Sequence, residues 1–147
     1  MNYELYMSAA IAEARAAVAA GERADGAVAV LDDAMVAGAH EQVRGSGDPT
    51  SHAVVNVLRE AARRLGQPGL SGVTVFATHE PCSMCVGALL EARVRTLVYA
   101  VPDDERGAAG GALQLARSPG MPHQISIISG VREDEARRLQ AGAAAPA

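Results

Sequence analysis

Residues 72–92, GVTVFATHEPCSMCVGALLEA, hold the reading that decides the fold. The run from Val73 to Thr78 is apolar and rich in β-branched residues, which marks a buried strand. Pro81 follows and is placed to open a helix over Cys82 to Ala92, where a fixed φ and a missing N–H cost nothing. A strand handed at once to a helix is the unit of an α/β protein, because the helix carries the chain back for a parallel neighbour. Cys82 and Cys85 fall at the junction, where unpaired N–H groups and the helix macrodipole favour a thiolate.

Upstream, residues 48–66 read DPTSHAVVNVLREAARRLG. The turn formers Gly45 to Thr50 lead into a helix whose first residues carry His52, with Thr50 or Ser51 as its expected cap. Val54, Leu58, Ala61 and Leu65 make one apolar stripe that ends at Gly66 and Pro68. Nearer the N-terminus, Met7, Ile11, Ala14 and Val18 recur at helical spacing, so a first helix is expected over most of residues 2–20. Gly26–Leu31 and Ala34–Gly38 flank Asp32-Asp33, the pattern of two strands joined by a tight hairpin. TLVYAV at 96–101 and ISIIS at 125–129 complete five strands, with helical connections expected after the third and the fourth. The expected organisation is a single domain over 1–140 with a frayed tail over 141–147.

One His and two Cys suit a catalytic zinc, which takes three protein ligands and keeps a fourth position for a water whose pKa it lowers towards neutrality. His52, Cys82 and Cys85 are the candidate ligands, and a redox Cys-x-x-Cys pair is the alternative. Since the chain has only these two Cys, a four-thiolate structural site is excluded. With 147 residues and 49% hydrophobic content the chain can bury a core without disulfides. Its 17 acids against 13 bases give a net charge of −4, and three Tyr and one Phe leave little for stacking on bases. That profile argues against a nucleic-acid partner. Arg59, Arg63 and Arg64 read as a solvated helix face. No apolar run is long enough for a bilayer and no secretory signal is visible, so a cytoplasmic protein without a membrane partner is expected.

Together, the segments around His52 and around Pro81-Cys82-Ser83-Met84-Cys85 resemble the cytidine deaminase-like superfamily, in particular its guanine deaminase and tRNA adenosine deaminase branch. The resemblance runs from AEARAAVAAGERADGAVAVLDD (12–33) to ISGVREDEARRL (128–139) and includes the small-residue stretch Gly107 to Gly110. It implies a three-layer α/β/α sandwich around a mixed five-stranded sheet, a zinc ion held by His52, Cys82 and Cys85, and a homodimer. It also exposes a departure: the residue two after the His is a proton-moving Glu in the family and Val54 here. Glu41 matches a substrate-contacting Asn of the family, which makes it a candidate both for substrate contact and as a relocated acid/base. Glu80, beside the Pro-Cys pair, is the other catalytic candidate, while Val54 and His79 are expected to line the substrate pocket. The implied activity is zinc-dependent removal of an amino group from a small nucleobase-like heterocycle by a non-standard proton-transfer group. The alternative is a zinc-binding homologue that has lost catalysis, whether a partner subunit or a Glu-to-Val variant.

Overall fold

The computed structural model describes residues 1–143. Its elements, in chain order, are α1 (Tyr3–Ala19), β1 (Gly26–Leu31), β2 (Ala34–His40), α2 (Val43–Ser46), α3 (Ala53–Leu65), β3 (Thr74–His79), α4 (Ser83–Glu91), β4 (Thr96–Val101), β5 (Ser126–Ser129) and α5 (Glu133–Ala141). The strands form one sheet in the order β2-β1-β3-β4-β5. β1 is antiparallel to both β2 and β3, whereas β3, β4 and β5 run parallel, so the sheet is mixed as expected. Asp32 and Asp33 both adopt positive φ, 52° and 58°, the conformation that lets a two-residue turn follow the strand twist.

The three central strands are buried on both faces, which is why they read as continuous apolar runs. Alternate residues divide between two cores. Val28, Phe76 and Val98 meet Met7 and Ile11 of α1 and Ala136 of α5; Val75 and Leu97 meet Val57 and Leu58 of α3 and Leu89 of α4. The result is the α/β/α sandwich. Gly26 is required at the start of β1, because a Cβ there would strike the backbone carbonyl of Ala10 and the nitrogen of Ala14. That close approach seats α1 directly on the strand that follows Asp25.

The connection from β4 to β5 departs from expectation. Residues 102–125 contain no helix and only one isolated bridge, Ala109 to Gln114. Gly107, Gly110, Gly111, Pro119, Gly120 and Pro122 explain it, since glycine and proline each weaken a helix interior. The short α2 and the C-terminal α5 were not anticipated either. α5 runs to Ala141, one residue into the expected tail, and residues 144–147 lie outside the described residues. Among the described residues no helix is long and apolar enough to cross a membrane.

Antiparallel pairing brings the start of β1 beside the ends of β2 and β3, with Gly26 opposite His40 and Ala27 opposite Ala77. The helices α3 and α4 begin at that same end. Ligands of open α/β sheets collect beyond the carboxyl ends of the parallel strands, and here that is the end of β3 and β4.

Candidate metal centre and its pocket

His52 is the N-cap of α3 and Cys82 the N-cap of α4, both in extended conformation, and Cys85 lies in the first turn of α4. The His52 Nδ1 is 3.6 Å from the Cys82 Sγ and 3.5 Å from the Cys85 Sγ, and the three ligand atoms lie within 4.8 Å of one another. A tetrahedral zinc with Zn–S of about 2.3 Å and Zn–N of about 2.0 Å has an S···N edge of about 3.5 Å. The donor set therefore fits zinc in both chemistry and spacing. Cys82 is stabilised as a thiolate with its pKa lowered to about 3: the hydrogen bond from Cys85 is the largest cause, and the bond to His52 adds to it against the opposing effect of burial. The Cys85 thiol is pushed up by that same bond to Cys82 and by burial. The His52 imidazole is raised by its bond to Cys82, against desolvation.

The cap expected from Thr50 or Ser51 is not made. The Thr50 hydroxyl donates to the Asp48 carboxylate at 2.7 Å and the Ser51 hydroxyl donates to the Asn56 amide oxygen at 3.3 Å, so both are consumed within the turn and the first turn of α3. Instead the first helical N–H, that of Ala53, points at the Asp25 Oδ2 at 3.4 Å. Asn56 in turn donates to the His40 carbonyl at 3.0 Å and ties α3 to the end of β2.

The pocket beside the ligands is lined by Asp25, Val54, His79 and Arg106 among others. Val54 is one of these lining residues, 2% exposed and apolar. His79, at the end of β3, also lines it, with both ring nitrogens engaged: Nε2 lies 2.7 Å from the Asp103 carboxylate and Nδ1 accepts from the Gln140 amide at 2.9 Å. This pattern selects the tautomer protonated at Nε2. Burial raises the Asp103 carboxyl, but the bonds from His79 and from the N–H groups of Arg106 and Glu105 outweigh it and hold the pKa at about 2.

Glu41 does not line this pocket. Its carboxylate, in a residue 3% exposed, takes two bonds from the Arg23 guanidinium at 2.7 and 2.9 Å. The expectation of a pocket-facing Glu41 is thereby corrected: a cation two residues before Asp25 captures it. Glu80 does reach the pocket wall, yet its oxygens accept N–H bonds from Asp103 at 3.0 Å, Ala109 at 3.0 Å and Gly111 at 2.8 Å. A Cβ on either Gly107 or Gly111 would collide with that carboxylate, which accounts for Gly107 at the start of the small-residue stretch and for Gly111 just beyond it. Arg63 and Arg64 pair with Glu60 on the exposed face of α3, as a solvated face requires. His123 contacts the Val94 carbonyl away from the pocket.

Sequence reasoning missed Asp25. It is partly buried, and burial raises its pKa while Arg23 and His79 pull it down. The available signal was an acidic residue between the buried Ala24 and the apolar strand beginning at Gly26.

Residues 1–101 match the family described as cytidine and deoxycytidylate deaminase zinc-binding region. The chain is 38% identical over 132 residues to a tRNA-specific adenosine deaminase of Bacillus subtilis, covering 90% of this chain and 82% of that protein. A solved structure from a study of A-to-I editing by tRNA deaminases at the wobble position of transfer RNA superposes with a TM-score of 0.89 at 36% identity, covering 92% of this chain and 98% of that one. A guanine deaminase from Nitrosomonas europaea superposes with a TM-score of 0.76 at 25% identity, covering 94% and 82% of the two chains. Two of these relatives are described by transfer RNA, and this overturns the exclusion of a nucleic-acid partner. Net charge is an average over the whole chain, whereas the pocket wall itself carries Arg23 and Arg106.

Proposed function

The chain belongs to the cytidine and deoxycytidylate deaminase zinc-binding family, and from that premise we propose that it is a zinc-dependent deaminase acting on an adenine-type base carried in RNA, transfer RNA in particular. The observation that carries this reading is the triangle of His52, Cys82 and Cys85, whose edges suit a tetrahedral zinc at the edge of a pocket. Zinc held there supplies Lewis acidity and an activated water. The chain's own residues supply the rest. His79, fixed by Asp103 and Gln140, presents a ring of set orientation to an entering base. Glu80 holds the loop of residues 103–111 against the pocket through its three backbone bonds, a positioning role in place of the catalytic one. Arg106, exposed at the pocket, is placed to meet a phosphate, the contact that dominates RNA affinity. A homodimer and a reducing cytoplasm, which suits metal thiolates, complete the proposal.

The test is conversion of adenosine to inosine, with ammonia release, by the zinc-loaded chain on transfer RNA transcripts, run beside free adenine, guanine and their nucleosides. Conversion of the RNA is expected; turnover of free bases alone would sink the RNA assignment. Val54 favours a second reading, in which the pocket binds zinc and RNA without chemistry. Under that reading RNA binds, no substrate releases ammonia, and Val54→Glu introduces turnover.

A further inference from the structure

We propose that Asp25 is the proton-transfer group of this site, a carboxylate delivered by the sheet to the place where the helix offers only Val54. The proposal rests on the deaminase reading above. Three carboxylates line the pocket, Asp25, Glu80 and Asp103. Two are occupied. Glu80 accepts three backbone N–H groups, and Asp103 places one oxygen on His79 and the other on the N–H groups of Glu105 and Arg106. Asp25 accepts only the long 3.4 Å bond from the Ala53 N–H, and among the described residues its Oδ1 takes no hydrogen bond.

That bond also locates the carboxylate. Ala53 is flanked in the chain by His52 and Val54, so the Asp25 carboxylate sits at the first N–H of α3, and Asp25 lines the same pocket as His52 and Val54. Its backbone is pinned on both sides: the Gly26 N–H donates to the Thr78 hydroxyl at 3.0 Å, and the Asp25 carbonyl accepts the Glu41 N–H at 3.0 Å. Asp25 is not one of the three clustered ligand atoms, so it is not spent as a fourth ligand. Nor does it form an ion pair among the described residues, because the nearby Arg23 is committed to Glu41. Glu41 thus acquires a positioning role: it occupies the guanidinium that would otherwise neutralise Asp25.

The step balances with water as the only co-reactant. Water adds to the amine-bearing ring carbon, and Asp25 takes one of its protons and passes it to the adjacent ring nitrogen. The second water proton travels by the same carboxylate to the amine, the C–N bond breaks, ammonia leaves, and the oxygen stays as a carbonyl.

Asp25→Asn keeps an acceptor for the Ala53 N–H and removes the base. In the zinc-loaded full chain, on a transfer RNA transcript bearing adenosine, kcat should fall about 100- to 10,000-fold, with zinc content and RNA Kd unchanged. Asp25→Ser, which also retains an acceptor, covers the case of an Asn variant that does not fold, and it should behave the same way. A second readout needs no leaving group: in RNA carrying purine riboside at the target position, hydration of the ring shifts its ultraviolet absorbance with the unmodified protein and should not with either variant. Activity of a variant within about threefold of the unmodified protein, or a retained absorbance shift, would make Asp25 a helix cap only and overturn the assignment while the deaminase reading stands. Silence of the unmodified protein on every substrate would overturn both.

Discussion

On one side of the pocket His52, Cys82 and Cys85 occupy the first residues of two helices; on the other, Asp25 and Arg23 precede β1, with Glu41 at the end of β2 holding Arg23 from outside the pocket. The ligand side is built locally. Each helix start fixes its own side chains by backbone conformation, and only the meeting of two helices remains to be arranged. The opposite wall is built by register: Asp25, Arg23 and the Glu41 behind them are set by how β1 pairs with β2 and β3. A site can therefore keep its metal donors while its acid/base group moves, because the two depend on different parts of the fold.

The comparison breaks most sharply at the metal. Cys85→Ala should lower zinc from one per chain to near none and abolish deamination, since two donors hold zinc far more weakly than three and metal binding is coupled to folding. Metal analysis after dialysis reads this directly, and a fully zinc-loaded variant would mean that the ligand side is misassigned. Next in size is Arg23→Ala, which strands the buried Glu41 carboxylate and should cost about 3 kcal/mol of stability in urea unfolding. Adding Glu41→Gln to that variant should recover part of the loss, because the orphaned charge is removed. Should the double variant be no more stable than the single one, the pair does not organise this wall.

Glu80→Gln should cost about 2 kcal/mol, because a neutral amide cannot offer both oxygens to the Asp103, Ala109 and Gly111 N–H groups. Zinc content is expected to stay at one, which separates a loop anchor from a ligand. The smallest effect is at Asp103, whose pKa of about 2 lies below its ordinary 3.8. A carboxylate depressed by folding adds stability that is complete above the unfolded pKa and is lost as pH falls through the folded one. The deficit of Asp103→Asn in urea midpoint should therefore shrink as pH falls from about 4 towards about 2; a deficit that stays undiminished over that range would contradict the depressed Asp103 carboxyl.

Much of this was legible in the chain. The apolar runs over Val73 to Thr78 and at 96–101, the stripe from Val54 to Leu65 and the paired Asp32-Asp33 turn are local patterns, and local backbone preference and side-chain periodicity decide them. The zinc donors were legible too, since Cys82 and Cys85 share one helix turn. The irregular segment after β4 was not, although its Gly and Pro residues carried the warning: the expectation of a crossover helix outweighed composition. The nucleic-acid partner was misjudged because charge was summed over the chain when only charge at the pocket bears on a phosphate.

By itself the sequence determined the five strands, the helices α1, α3 and α4, and the two candidate thiolate donors that share one helix turn, because each depends on residues a few positions apart. Only the tertiary structure decided which carboxylate faces the pocket. Positions 25, 41 and 80 lie far apart in the chain, and whether each side chain meets an arginine, a ring of backbone N–H groups or open pocket follows from strand register and from which neighbour claims it first.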